Sequence, residues 1–284
     1  MNSIYFRPLL LLLFIFNLSS ISSKSHTCDD KARGNPVFFS STSKSIFLKA
    51  KYRIFSSPKF TVQISGGMNL GVSELYSNHP EIFNSEEFTS GRNFGVRGGY
   101  GVTAMGKLPI QKSGGLRFTF STSFNRFQNN FLADDSPSGN VKYNVLSFGL
   151  GLENSFNPAF RLKPYIAVGL DANIINGKAN LISNNNTRTV TIKNSFRIGY
   201  TVYTGFEYMF NKNLGANVGA RFSNLNQILK SSEDSDNQDE IPLRDKKSDI
   251  DPKPEFSGHK NFTFAALYIG LNFYFGIKEK IYKF

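Results

Sequence analysis

Residues 60–73 alternate strictly between two kinds of position: the even positions are apolar or glycine, and the odd positions are polar or glycine. A period of two places the two rows on opposite faces of a β-strand. This segment therefore predicts a strand with one apolar and one polar face. At about 13 residues it exceeds the usual 5 or 6 of a soluble strand and is long enough to cross a bilayer at a tilt.

The same alternation recurs seven times along the chain, around residues 94–108, 116–125, 146–153, 165–174, 195–210, 214–222 and 265–275. Eight such strands predict an all-β fold, an eight-stranded antiparallel up-and-down transmembrane β-barrel whose apolar faces point outward. A soluble barrel or sandwich is the alternative. It would turn its apolar faces inward and use shorter strands.

The predicted connections alternate in length. Short links lie near residues 109–115, 156–163 and 211–213, and long ones near 74–91, 127–141, 176–193 and 226–260. Bacterial outer-membrane barrels have short periplasmic turns and long external loops, so both termini are expected in the periplasm. The last connection, 226–260, is rich in Ser, Asp, Glu, Lys and Pro and predicts a mobile outer loop.

Aromatic residues cluster near the predicted strand ends, as in the girdles of membrane barrels. The predicted periplasmic girdle contains Phe60, Phe156, Tyr165, Tyr208, Phe210, Phe273 and Phe275. The predicted outer girdle contains Phe94, Phe124, Tyr143, Phe196 and Phe222.

The N-terminus has the pattern of an export signal, because Arg7 precedes an apolar run over residues 9–16 and a small polar stretch follows it. We predict a signal peptide at 1–23, a partly disordered periplasmic lead-in at 24–57, the barrel at 58–276 and a C-terminal tail at 277–284. Residues 46–55 also alternate, which leaves a further strand open. Cys28 is the only cysteine, so an intramolecular disulfide and a cysteine-rich metal site are excluded.

The net charge of +12 comes from scattered Lys and Arg rather than from a dense basic run with interleaved aromatics. This pattern does not favour nucleic acid binding. In a membrane barrel, basic residues near the loops would instead meet outer membrane lipid headgroups or lipopolysaccharide phosphates.

No catalytic, cofactor or metal site is predicted. The three histidines, His26, His79 and His259, lie in the lead-in or in loops, away from an inward Ser or carboxylate. We therefore expect a protein that is not an enzyme. The remaining alternative is a lipid-modifying barrel enzyme with His79 or His259 at its outer rim.

Seven charged residues share the inward rows of the predicted strands: Arg97, Arg117, Glu153, Asp171, Arg197, Glu207 and Arg221. Folding the hairpins about their loops places Arg117 opposite Glu153 and Asp171 near Arg197. Because buried charges need partners, these residues predict a charge network that neutralises and fills the lumen. The same residues would also suit the charged constriction of a pore.

Two segments resemble a known family: the run Lys-Pro-Tyr-Ile-Ala-Val-Gly-Leu at residues 163–170, and the alternating aromatic strand at 265–275. They are similar to the small OmpA/OmpX-like outer membrane barrels, in particular the outer membrane protein β-barrel domain family common in Bacteroidetes. The resemblance covers residues 58–276. It implies that a C-terminal aromatic, here Phe273, Phe275 or Phe284, is read by the barrel assembly machinery.

Two functions fit an eight-stranded barrel, whose interior is about wide enough for its own side chains. In the first, the barrel is a structural anchor whose loops serve envelope integrity, adhesion or an unspecified partner. In the second, it is a narrow channel for small or apolar solutes, which resembles OmpW-type barrels. The charged interior and the polar last loop favour the anchor.

Overall fold

The structure is a computed structural model that describes residues 51–76, 94–131, 138–183, 186–228, 240–241 and 261–283. Several predictions concern other residues: the signal peptide at 1–23, the lead-in up to residue 50, most of the loop at 226–260, Cys28, His26, His79, His259 and Phe284. They lie outside the described residues.

The described chain forms eleven β-strands. They are β1 (Lys51–Phe55), β2 (Phe60–Val72), β3 (Gly98–Pro109), β4 (Leu116–Phe131), β5 (Ser138–Ser155), β6 (Leu162–Ser183), β7 (Asn186–Met209), β8 (Leu214–Ile228), β9 (Glu240–Ile241), β10 (Thr263–Phe275) and β11 (Glu279–Lys283). One turn of 3₁₀ helix, Ser73–Leu75, follows β2. No helix within these ranges is long and apolar enough to cross a membrane.

Eight of these strands, β2 to β8 and β10, close into one antiparallel barrel. Each pairs with its neighbours along the chain, and β10 pairs with both β8 and β2. The closing ladder runs the whole length of both strands, from Phe275 opposite Phe60 to Thr263 opposite Val72. The predicted eight-stranded antiparallel up-and-down barrel is therefore confirmed.

The outer surface of the barrel carries a band of exposed apolar side chains. Met68, Leu267 and Ile269 are 73%, 67% and 69% exposed, whereas the inward Thr61 and Gln63 are 1% and 2% exposed. Along β2 the band covers about 11 residues, or about 28 Å of height at a tilt of about 40°. That height suits the apolar band of a transmembrane barrel, which is about 25 Å tall.

The polarity of the two faces reverses beyond the band, at the end of the barrel that carries the long connections. On β5, Leu146 points outward and Ser147 inward, but one step further Asn144 points outward and Val145 is fully buried. Lys142 then continues the outward row. The wall thus changes from a membrane pattern to the pattern of a soluble barrel without interrupting its hydrogen-bond ladder.

The prediction of long loops at two places is wrong, because the strands continue beyond the apolar band. Residues 127–141 and 176–193 are mostly strand, because β4 continues to Phe131, β5 begins at Ser138, β6 continues to Ser183 and β7 begins at Asn186. In these extensions most outward residues are polar and most buried inward residues are apolar. They therefore lack the apolar outer row by which the membrane-crossing strands were recognised.

The predicted girdles need three corrections. Phe94 and Tyr143 are fully buried, and Tyr165 is 3% exposed. Tyr143 and Tyr165 occupy inward positions of β5 and β6, and Phe94 lies before the start of β3, where its amide donates to the Glu74 carbonyl. All three rings therefore point into the barrel rather than toward its outer surface.

The segments that flank the barrel pair with each other. β1 lies antiparallel to β11, with Arg53 opposite Ile281, in a separate two-stranded sheet. The alternation at residues 46–55 therefore includes a strand, but that strand does not enter the barrel and the count of eight stands. The predicted C-terminal tail likewise contains β11.

Inward tyrosines lie against glycines on the neighbouring strand. Tyr143 faces Gly177 across the β5–β6 ladder, and a Cβ atom at Gly177 would lie 2.1 Å from the Tyr143 ring. The ring cannot easily yield, because its hydroxyl donates a 2.7 Å hydrogen bond to the Phe94 carbonyl and it packs edge-to-face with the Phe262 ring. A side chain at Gly177 would overpack this region.

We predict that Gly177→Ala lowers the free energy of unfolding by about 1–3 kcal/mol, the usual cost of overpacking. Gly66→Ala is the matched control, because a Cβ there would meet only the Gly101 carbonyl oxygen at 3.8 Å. The control should be neutral or slightly stabilising. Urea unfolding of protein refolded into vesicles, followed by circular dichroism, measures both. Equal stability of the two variants would contradict this packing.

Candidate functional site

The barrel interior is the candidate site, and its side chains form three layers. Near the short turns lies an ionic cluster of Lys107, Arg117, Glu153, Lys163 and Glu207. A polar layer follows in the middle. Near the long connections lies an apolar plug, formed by Leu75, Phe94, Val96, Phe127, Val141, Tyr143, Val145, Ile175, Ala179, Val190, Ile192, Leu225, Phe262, Phe264 and Ala266.

The two carboxylates of the ionic cluster each bind the same two cations. Glu153 lies 2.7 Å from Lys107 Nζ and 3.1 Å from Arg117 Nη1. Glu207 pairs with Lys107 and lies 3.2 Å from Arg117 Nη1. All four side chains are at most 2% exposed. The charges therefore neutralise one another across the lumen in an environment where unpaired charge is costly.

Strand register places these residues. Arg117 on β4 faces Glu153 on β5, and Lys163 on β6 faces Glu207 on β7. The Lys107 and Lys163 ammonium groups also lie over the rings of Tyr165 and Tyr274, at 4.7 and 5.2 Å from the ring centroids. Cation–π contacts add to the attraction that holds the cluster together.

The cluster contains three cations and two carboxylates, so its formal charge is +1. Lys163 Nζ and Arg117 Nη2 donate no hydrogen bond to any acceptor in the described part of the chain. Loss of either carboxylate would destabilise this buried cluster. The three cations would then share one anionic partner.

Arg221 organises the middle layer. Its guanidinium donates hydrogen bonds to Thr103 Oγ1 at 3.1 Å and to Asn125 Oδ1 at 2.7 Å. Asp171 accepts a hydrogen bond from Thr201, whose hydroxyl lies 2.9 Å from that of Ser223. The cavity beside Arg221 has a volume of about 10 Å³, which is room for about one water molecule.

Aromatic rings fill the plug. The centroids of Phe94 and Phe262 are 4.9 Å apart, those of Tyr143 and Phe262 are 5.5 Å apart, and those of Phe127 and Phe264 are 5.2 Å apart. Phe94 and Phe262 are not part of the barrel strands. Two of the connecting segments thus fold inward and contribute side chains to the interior.

Backbone hydrogen bonds hold these inward segments to the barrel. The Phe94 amide donates to the Glu74 carbonyl at 2.8 Å, and the Leu225 amide donates to the Phe262 carbonyl at 2.9 Å. The Phe262 amide donates in turn to Asn226 Oδ1 at 2.7 Å. The plug is therefore tied to the walls by hydrogen bonds as well as by apolar packing.

The structure distributes the seven predicted lumen charges over different places. Arg117, Glu153 and Glu207 meet in the ionic cluster, with Arg117 opposite Glu153 in register. Asp171, Arg221 and Arg197 are buried nearer the long connections. The Arg197 guanidinium donates a hydrogen bond to the Phe196 carbonyl at 2.8 Å. Arg97 is exposed.

The placement of Arg97 in the lumen is wrong. β3 begins only at Gly98. The segment before it lies outside the β3 ladder, since the Phe94 amide donates to the Glu74 carbonyl and the Val96 amide to the Leu75 carbonyl, and its buried side chains are those of Phe94 and Val96. Arg97 consequently points away from the interior.

The register makes Asp171 and Arg197 diagonal neighbours on the inward face rather than a directly opposed pair. Asp171 faces Gly199, and Arg197 faces Asn173. A β-bulge in β7, opposite the step from Ile175 to Gly177, shifts the pairing by one residue relative to a regular hairpin.

Sequence reasoning missed Lys107 and Lys163 as members of the ionic cluster. Both lie close to strand ends, and Lys163 fell within a predicted turn. Their position in the alternation identifies them, because both occupy inward rows of their strands. Lys107 shares the inward row of Thr103 on β3, and Lys163 shares the inward row of Tyr165 on β6.

The other predicted site residues are outside the interior. Phe273 and Phe275 end β10 on its outward face, with Phe275 stacked on Phe60 at 6.0 Å. Among the described residues, no group of three or more His, Cys, Asp and Glu side chains is placed to hold a metal ion.

A closed antiparallel barrel with an apolar outer band and an ion-paired interior is the architecture of a bacterial outer membrane barrel. The model of the family described as "Outer membrane protein beta-barrel domain" matches residues 54–275, so the chain belongs to this family. It is therefore an integral outer membrane protein.

Several solved structures are similar to it, among them three bacterial outer membrane proteins. Neisserial surface protein A has a TM-score of 0.42 and 15% identity, over 77% of this chain and 99% of that one. OprG from Pseudomonas aeruginosa has 0.42 and 10%, over 78% and 97%. The N-terminal β-barrel domain of Pseudomonas aeruginosa OprF has 0.32 and 13%, over 76% and 99%. The comparison with curated proteins finds no match.

We predict that Glu207→Gln lowers the free energy of unfolding by about 3 kcal/mol or more, because it leaves buried cations with one carboxylate. Adding Lys107→Met to that variant should recover part of the loss, since it removes one uncompensated charge. Glu74→Gln makes the same chemical change at a half-buried position and should cost under about 1 kcal/mol. Denaturant unfolding in vesicles measures all three; a Glu207→Gln protein as stable as the Glu74→Gln control would rule out a paired cluster.

Proposed function

We propose that the protein is a non-enzymatic structural anchor, a closed barrel that holds surface segments outside the cell for envelope integrity, adhesion or partner binding. The observation that carries this proposal is the apolar plug, which occupies the interior near the long connections. The ionic cluster occupies the other end. Two layers of different chemistry would both have to open before a solute could pass.

The proposed orientation places the short turns and both termini in the periplasm. It is supported by the strand extensions of β4 to β7, which pass beyond the apolar band with polar outer faces only at the end with long connections. Outer membrane barrels place their longer connections outside. In this orientation the β6–β7 hairpin is the longest surface hairpin among the described residues, since its strands contain 22 and 24 residues.

The same orientation suggests two kinds of partner. Outer membrane lipid, including lipopolysaccharide, would surround the apolar band and meet the basic residues beyond it. The barrel assembly machinery would read the end of β10, where Phe273 and Phe275 lie on the outward face, or the terminal Phe284. The partner of the surface segments is not specified by these features.

A narrow channel for small or apolar solutes is the second candidate. The apolar character of the plug favours it, because an apolar solute could replace the side chains of Phe94 and Phe262 if their segments moved outward. The two functions differ in conductance: a structural anchor would pass no current through its interior, whereas a channel would.

We predict that the refolded protein shows no reproducible single-channel steps in planar bilayers, because the ionic cluster and the apolar plug close the two ends of the interior. A general porin inserted under the same conditions is the positive control. Stepwise conductance of constant size, seen in independent insertions, would favour the channel instead.

Cysteine labelling tests the orientation. In a Cys28→Ser background, Asn194→Cys at the β7 bulge and Lys212→Cys in a short turn both place a thiol at an exposed position. We expect a membrane-impermeant maleimide to label Asn194→Cys in intact cells, and Lys212→Cys only after permeabilisation. The opposite pattern would show that the barrel is inverted relative to this proposal.

A further inference from the structure

Three basic side chains lie together on the outer wall of β4, β5 and β6, just beyond the apolar band. We call Arg126, Lys142 and Lys178 the basic patch. All three occupy outward positions of their strands. The outward residues that precede them toward the band are apolar or amide: Phe124 on β4, Leu146 and Asn144 on β5, and Ile174 and Asn176 on β6.

Strand register makes the patch compact. Lys142 is directly opposite Lys178 across the β5–β6 ladder, and Arg126 is opposite Asn144, two residues from Lys142. Directly opposed residues on one face have Cβ atoms about 5 Å apart, and diagonal neighbours are about 7–8 Å apart. Three positive charges thus share an area comparable to one phosphorylated sugar.

The described side chains, which exclude those of residues 240–241, do not neutralise this charge. No carboxylate among them forms an ion pair with Arg126, Lys142 or Lys178, and Arg126 Nε donates no hydrogen bond to them. Like charges directly opposite each other destabilise a strand pair. A multivalent anion bound between them would relieve this repulsion.

We propose that the basic patch binds the phosphate groups of a glycolipid in the outer leaflet, such as the phosphorylated disaccharide of lipopolysaccharide. The acyl chains would lie against Phe124, Leu146 and Ile174. The Asn144–Asn176 amide pair, joined at 3.4 Å, lies between the apolar and basic rows at the level of a sugar, and Asn144 Oδ1 accepts no hydrogen bond from the described residues. This inference rests on the orientation proposed above.

The position of the patch favours a lipid over a soluble anion. A soluble anion needs no apolar surface next to its binding site, whereas a lipid headgroup enters the patch only when its chains run along the band. At this boundary the Arg and Lys side chains would bind the phosphates, the neighbouring amides would bind the sugar hydroxyls, and the apolar band would contact the acyl chains.

The other occupant to consider is an acidic segment of the same chain. Residues 233–251 contain eight acidic and three basic side chains. Within that segment β9 pairs with β7, with Glu240 opposite Thr191, and Thr191 is opposite Lys178. The experiment therefore includes this segment as a competing ligand.

The test compares two triple variants of the full chain, folded in detergent, by native mass spectrometry during titration with bis-phosphorylated lipid A. Arg126→Gln, Lys142→Gln and Lys178→Gln remove the patch. Lys112→Gln, Lys212→Gln and Lys278→Gln make the same charge change at exposed positions near the other end. Heat-dependent gel mobility verifies that each variant is folded.

We expect the patch variant to lose affinity for lipid A by at least about tenfold, since three charge-assisted contacts disappear, and the control to bind like the wild type. Lipid A from which both phosphates have been removed should bind the wild type as weakly as lipid A binds the patch variant. Inorganic pyrophosphate should compete only at far higher concentration, because it lacks the acyl chains.

Three results would overturn the proposal. Equal binding by the patch and control variants would show that these side chains are not the site. Equal binding of dephosphorylated lipid A would show that phosphate is not recognised. Binding that appears only after Glu233→Gln, Asp234→Asn, Asp236→Asn and Asp239→Asn would identify the acidic segment as the occupant. Because the titration does not depend on orientation or conductance, its failure is separate from failure of the anchor function.

Discussion

The closure of the hydrogen-bond ladder is the constraint on which the rest of this structure depends. In a bilayer, each backbone amide and carbonyl needs a partner within the protein, because lipid provides none. The pairing of β10 with β2 along the entire length of both strands removes the last free edges of the sheet. Once the sheet is closed, each strand has one face toward lipid and one toward the interior. The alternation of side chains, the outer apolar band and the paired interior charges all follow from that division.

The solvent outside the wall decides which face is apolar. Where lipid surrounds the barrel, the outward residues are mostly apolar, and the inward ones are mostly polar, charged or tyrosine. Where β4 to β7 extend beyond the band, water replaces lipid and the two faces exchange character, as between Leu146 and Asn144 on β5. The apolar plug is the interior of this second, water-surrounded section. One continuous set of strands is thus a membrane barrel along part of its length and a soluble barrel along the rest. The basic patch lies at the boundary between them.

The apolar plug and the ionic cluster, at the two ends of the interior, differ in what they contribute. The plug follows the ordinary rule that apolar side chains leave water, and its rings also immobilise the inward segments that contain Phe94 and Phe262. Ion pairs such as those of the cluster seldom stabilise a fold more than well-packed apolar residues would. Removal of one partner is worse, however, because it leaves an unpaired charge buried inside the barrel. Each charged residue of the cluster therefore needs the others in place to be paired.

The sequence by itself determined the fold class, the eight strands, the outer band and the pairing of Arg117 with Glu153, because each follows from a period of two or from short-range register. It could not determine the reversal of polarity beyond the band, since the same alternation in the extensions has its apolar row on the other face. Nor could it place Arg97, because residues 94–96 bond to Glu74 and Leu75 outside the β3 ladder. The hydrogen bond from Thr201 to Asp171 likewise depends on a register that a bulge in β7 shifts by one residue. The meeting of Lys107, Glu153 and Glu207 was decided only by closure of the barrel, because it joins side chains of β3, β5 and β7 across the lumen.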